Sequence, residues 1–128
     1  MVRSEEQKKG TSMDTFYEED ILGEGFQRAT LSLRDDYEGS VVATLVRRLS
    51  DTGNGRSVLY IHGFNDYFFQ REMAWRLNER GFHFYALDLR KYGRSWLSHQ
   101  KFNDIRDIRA YFEEITLALQ MIREEGSR

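Results

Sequence analysis

The stretch VLYIHGFNDYFFQ, Val58 to Gln70, decides the fold. Four apolar residues, Val58 to Ile61, run without a break into His62-Gly63. An apolar run that short fits a strand covered on both faces, as in a parallel sheet. Aromatic residues follow, and Phe69, Met73 and Leu77 recur every four positions. That spacing predicts a helix over about 67–80, with Asp66 as N-cap and Gly81 as C-cap. FHFYALDL, residues 82–89, then reads as a second strand of the same unit. Strand, helix, strand is the building block of a parallel α/β sheet.

Upstream, Ala29, Leu31 and Leu33 alternate with Arg28, Thr30, Ser32 and Arg34, marking a half-exposed strand over 26–34. DDYEG supplies a turn, and SVVATLVRRL, residues 40–49, is a more apolar, β-branched strand. SDTGNG is short and carries an Asn54-Gly55 turn signal, so the strands flanking it read as a hairpin. Residues 1–14 are polar and aperiodic and read as a flexible leader to a domain over 15–128. Downstream, RKYGRSWLSHQK is a loop, and a last helix is predicted from about Asn103 to Gly126. There Ile105, Ile108, Phe112, Ile115, Leu119 and Ile122 fall at 3-4-3-4-3 spacing, which predicts a core-facing stripe. The order β-β-β-α-β-α is that of an α/β sheet, parallel in its later part.

The bulk chemistry narrows the function classes. The chain has 128 residues, which fits one domain. Nineteen Lys+Arg against 21 Asp+Glu leave a net charge of -2, so nothing favours nucleic acid or an anionic membrane as partner. No cysteine is present, which excludes disulfides and thiolate chemistry. No apolar run approaches the ~18 residues of a membrane span. The N-terminus is charged and shows no signal peptide, so the expected location is cytoplasmic. Three histidines without close spacing argue against a metal site. Gly23-Glu24-Gly25 lacks the third glycine of a dinucleotide loop and precedes a strand rather than following one. An unrelated phosphate- or nucleotide-binding α/β domain ranks low for want of a glycine-rich loop.

His62-Gly63-Phe64 stands where a buried strand gives way to a helix. In open α/β sheets, ligands bind beyond the carboxyl ends of the strands. Backbone N–H groups of such a loop can face a developing negative charge; the plainer reading is a strand-to-helix turn with a packed histidine. DLRKYGRS, Asp88 to Ser95, leaves the next strand at the same edge. Alone it reads as a charged loop with a turn glycine.

Together the two segments resemble the α/β-hydrolase superfamily, and within it the lysophospholipase and monoacylglycerol-lipase-like serine hydrolases of the serine-aminopeptidase type. The resemblance lies in YIHGF, in the helix after it, in GFHFYALDLRKYGRS and in DIRDIRAYFEEI, and it covers roughly residues 20–125. Such proteins commonly carry HG after the third strand and a D-x-R-G-x-G-x-S-like segment after the fourth. Here Lys91 replaces the first glycine, whereas Gly93 and Ser95 are retained. The resemblance implies the N-terminal portion of an α/β-hydrolase sheet in which the fourth strand separates the second from the third, against the hairpin reading. It also implies ester or lipid-like small-molecule substrates and no cofactor. By position it makes the Phe64 N–H one oxyanion donor, gives His62 a structural role, and makes His62, Gly63, Asn65 and Gly93 loop candidates at the substrate.

The second oxyanion donor follows the nucleophile on a G-x-S-x-G elbow, and no such motif occurs in this sequence. Gly93-Arg94-Ser95-Trp96-Leu97 lacks the closing glycine. His99 precedes Asp104 and Asp107, the wrong order for a Ser…Asp/Glu…His triad, and His83 falls mid-strand. Nucleophile, acid and base are thus absent, and the chain alone is expected to be inactive. The alternative is a non-catalytic, truncated α/β module that self-associates through an exposed Val58–Ile61 edge or binds a partner. Trp75 and the aromatics of YFFQ read as core or helix-face residues, with a wall of an acyl site as the lesser reading.

Overall fold

The computed structural model describes residues 16–61 and 71–126. Its elements are β1 (Glu18–Glu19), β2 (Gln27–Ser32), β3 (Val42–Arg48), β4 (Ser57–Ile61), α1 (Arg71–Glu79), β5 (His83–Asp88) and α2 (Tyr111–Glu124). Two 3-10 turns, Gly93–Ser95 and Ile108–Ala110, lie between β5 and α2. The described residues thus form a mixed α/β structure: a five-stranded sheet and two helices. The short β1, formed by exposed Glu18 and Glu19, has no apolar pattern to announce it.

The strand order is β1-β2-β3-β5-β4. β2 and β3 pair antiparallel, Gln27 opposite Arg47 and Ser32 opposite Val42. β3 then pairs antiparallel with β5, Thr44 opposite Asp88, and β4 runs parallel to β5. The hairpin reading of SDTGNG is corrected here: β5 is inserted between β3 and β4. Phe84 to Asp88 are all buried, so this strand requires a neighbour on each side and a cover on each face, whereas β4 is only half-buried. Asn54 is used differently from a hairpin turn. Its amide donates to the Gly81 carbonyl (2.8 Å), and its side chain accepts from the Arg56 amide (2.9 Å).

One helix covers each face. Phe26, Val46, Phe84 and Ala86 pack with Ala74, Met73 and Leu77 of α1. On the opposite face Ala29, Leu31, Ala43, Leu45, Tyr85 and Leu87 pack with Ala118, Met121 and Ile122 of α2. At ~25 cal/mol per Å² of apolar surface buried, these two layers are the main source of stability. α1 ends where expected. The Phe82 amide donates to the Leu77 carbonyl (3.0 Å) and the Gly81 amide to that of Asn78 (2.9 Å), with Gly81 at φ 90. Two orphan carbonyls are closed by that pair, and the left-handed position favours glycine.

α2 differs from the sequence reading at its start and in its buried face. Asn103 sits at φ 61, and the extended Asp107 accepts from the Arg109 amide (2.9 Å), so helical turns begin only at Ile108. Ile108 is 73% exposed, Phe112 63% and Leu119 40%, so half of the six-residue isoleucine-rich stripe faces outward, and of the six only Ile122 is buried. The sheet is met instead by Glu114, Ala118, Met121 and Ile122, with Tyr111, Ile115 and Leu117 at the margin.

Candidate functional site

Ile61 lies opposite Leu87, so β4 and β5 end together at one edge of the sheet. The chain leaving β5 there, Leu89 to Gln100, forms the described part of the rim. Phe64, His62, Gly63 and Asn65 lie outside the described residues. Gly93 is exposed, has φ 42 and opens the 3-10 turn Gly93–Ser95. Lys91, two residues earlier, has φ 65. Both therefore hold left-handed backbone, a conformation glycine adopts without the Cβ clash of other residues.

The rim turn is anchored from beneath by three buried polar constellations. Ser95 has no exposed surface; its hydroxyl donates to the Asp88 carbonyl (2.6 Å) and lies 3.0 Å from Thr44 Oγ1. The Arg94 guanidinium bridges Asp88 (2.9 Å) and both oxygens of Asp20 (2.7 and 2.8 Å). Burial pushes the Asp20 carboxyl up, but Arg94, the Leu22 amide and Arg28 more than offset it and hold the group below its ordinary range. Arg90 is clamped by Glu114: its amide donates at 2.8 Å, its Nε at 3.0 Å and its Nη2 at 2.8 Å. Burial would lower the Arg90 pKa; Glu114 and Glu113 reverse that and raise it.

Lys91 completes the rim. Its ammonium is fully buried and meets Asp36 (2.7 Å), Glu38 (2.8 Å) and the Asp104 carbonyl (2.6 Å).

Ser95 is therefore built into the turn and not presented for attack. The two described histidines are also committed: His83 Nδ1 accepts from the Ser50 amide (3.0 Å), and His99 Nε2 lies 2.9 Å from the Ser40 carbonyl. Among the described residues no serine and histidine pair as nucleophile and base. Nor, among the described residues, does any group of three His, Asp or Glu stand ready to hold a metal ion. No helix among the described residues is long and apolar enough to cross a membrane.

Gly23-Glu24-Gly25 forms the turn between β1 and β2, with the Phe26 amide donating to the Gly23 carbonyl (2.9 Å). The acyl-wall reading of Trp75 is corrected. Trp75 lines an open cavity of about 660 Å³ with Arg48, Ser50 and Asn78. Arg48 lies opposite Phe84, at the start of β5, so this cavity belongs to the edge away from Gly93.

Sequence reasoning missed Asp20, Thr44 and Glu114 as supports of the rim. For Thr44 and Glu114 the signal was weak but present: each is a polar residue in or beside an otherwise apolar segment, where burial demands a partner.

No protein-family profile matches the chain, and no curated protein matches it. Among solved structures the chain is similar to a PEG-bound complex of a cold-adapted esterase from an Arctic intertidal metagenomic library. The two share 20% sequence identity at a TM-score of 0.48, over 86% of this chain and 49% of the esterase, so the chain spans about half of that protein's length.

Proposed function

We propose that the chain is the N-terminal portion of a serine ester hydrolase of the α/β-hydrolase type, with lysophospholipase- or acylglycerol-lipase-like substrates. One observation carries the reading. β5 is inserted between β3 and β4 and runs parallel to β4, so the segments after both strands leave the same sheet edge. That is the strand order the motif resemblance calls for. Left-handed backbone at Lys91 and Gly93, where the resembling motif has its glycines, supports it further.

In this reading the Phe64 N–H is one oxyanion donor at the rim, and His62, Gly63, Asn65 and Gly93 shape the loops around the substrate. A single such donor contributes about 3 kcal/mol to the transition state of a complete site. It contributes nothing without a nucleophile to form the oxyanion. The attacking serine, its base and its acid come from outside these 128 residues, since no G-x-S-x-G is present. The 128-residue chain by itself is inactive, and its location is cytoplasmic.

A short acyl ester such as a p-nitrophenyl ester tests this. The chain alone should not turn it over, and a longer form reaching through a G-x-S-x-G elbow should. A longer form that carries the elbow and still shows no esterase activity removes the assignment. A second reading, self-association of a non-catalytic module, is favoured by the place of β4 at the end of the strand order.

A further inference from the structure

Lys91 occupies an unusual position for a lysine. Its backbone is left-handed at φ 65, and its side chain is fully buried. Few side chains combine the two, because a left-handed residue bears a Cβ clash and a buried ammonium must be paired. The pairing is complete here. Asp36 and Glu38 lie at 2.7 and 2.8 Å, the Asp104 carbonyl accepts at 2.6 Å, and the Tyr37 ring centroid is 4.6 Å away. Three chain segments thus converge on one ammonium: the β2–β3 turn, the rim turn, and the approach to α2.

Other contacts follow the same lines. The Lys91 carbonyl accepts from the Asn103 amide (3.3 Å), and Tyr37 Oη donates to the Asp104 carbonyl (2.7 Å). Gln100 Nε2 donates to the Ser40 carbonyl (3.0 Å), and the Lys101 amide donates to Glu38 (3.3 Å). Those contacts are mostly near the surface. The buried ion cluster is the one member that cannot be exchanged for water without exposing an unpaired charge.

We propose that Lys91 is an electrostatic latch: its ammonium locks the β2–β3 turn onto the 91–104 loop and thereby holds the Gly93–Ser95 rim turn in place. The charge state fits a permanent latch. Burial would lower the Lys91 pKa, but Asp36 and Glu38 raise it; burial pushes the Asp36 carboxyl up, but Lys91 and the Glu38 amide more than offset that and hold it below its ordinary range. Lys91 is a positioning residue in this scheme and touches no reacting atom. The inference stands independently of the hydrolase reading.

Hydrogen exchange on the 128-residue chain tests it. Lys91→Met keeps length and removes the charge. It should speed exchange at the amides of Gly39, Trp96, Gln100 and Asp104 by at least about tenfold, with the β5 amides within about twofold of wild type. Lys91→Gly removes the strain as well as the ammonium and should loosen the same amides. If Lys91→Gly keeps wild-type protection, backbone conformation alone holds the loop and the latch is wrong. Charge specificity is read from Glu38→Gln. Combined with Lys91→Met it should add nothing to the single methionine variant, whereas a packing role gives additive losses. Should Lys91→Met not fold, Glu38→Gln alone decides. Local loosening of about threefold or more at 96–104 supports the latch, and unchanged exchange there overturns it.

Discussion

Asp20 shows how much a single carboxylate does in this molecule. It sits in the turn after β1, almost fully buried, accepts two hydrogen bonds from Arg94 and one from the Leu22 amide (3.1 Å), and lies 3.7 Å from Arg28. The turn between β1 and β2 is thereby tied to the rim turn 74 residues away. Its folded-state pKa lies below the ordinary 3.8, despite the upward push of burial, because of these donors. The sign follows from linkage. A carboxyl with a depressed folded pKa adds stability that is complete above the unfolded value and fades as pH falls through the folded one. Asp20→Asn should therefore cost about 2–3 kcal/mol near neutral pH, where it leaves Arg94 with one carboxylate fewer. That gap should begin to narrow below about pH 4 and close only as pH falls through the depressed folded value. Urea titrations from pH 7 down through pH 3 measure it; a gap that never narrows would show that shape and not charge is at work. No alternation or periodicity in the sequence singles out Asp20, because its partner Arg94 is distant along the chain. Single-residue roles of this kind become visible only when the topology is known. Ser95 was the opposite case, since the missing closing glycine already set it apart from an elbow serine.

At the scale of elements, turn chemistry was more legible than facing. Gly81 closes α1 as its place after the helix predicts, with two capping bonds and φ 90. A Cβ there would stand 3.3 Å from Asn54 Nδ2, whose segment is docked on this cap. Gly81→Ala should thus lower stability by about 1–2 kcal/mol, through left-handed strain and that close approach. Thermal unfolding should show a fall in Tm of several degrees; an unchanged Tm would mean the cap relaxes at no cost. The face of α2 was not legible because a hydrophobic template rejects charged positions. Glu114 has no exposed surface and answers Arg90, while Glu125, just past the helix end, accepts from Tyr17, Tyr85 and Arg47. These carboxylates lie toward the sheet, so the buried stripe reads as interrupted, and the unbroken isoleucine-rich one attracts the assignment. The start of α2 was recoverable, since Asp107 followed by Ile108-Arg109 is a cap signal that competes with an earlier start at Asn103.

At the scale of the whole molecule, the decisive event is the insertion of β5 between β3 and β4. Strand identity could be read from the sequence, but pairing could not. A short connection such as the one that carries SDTGNG satisfies a hairpin as readily as it satisfies a step across the end of a third strand. What separates the two is global: β5 has the most fully buried run of the sheet and claims the inner place. The consequence falls on β4, last in the strand order, whose final residue Ile61 is 40% exposed. Terminal strands invite pairing with another chain unless charge or cover prevents it. Concentration-dependent dimers are therefore expected in light scattering. Ile61→Lys should shift them toward monomer, because a lysine on a terminal strand opposes a second strand. Phe112→Glu with Leu119→Glu changes a different exposed apolar surface, on α2, and should leave the dimer fraction as it was. If the α2 pair dissolves the dimer and Ile61→Lys does not, association runs through the helix face. A single monodisperse monomer of the unaltered chain at every concentration would instead show that β4 is already protected.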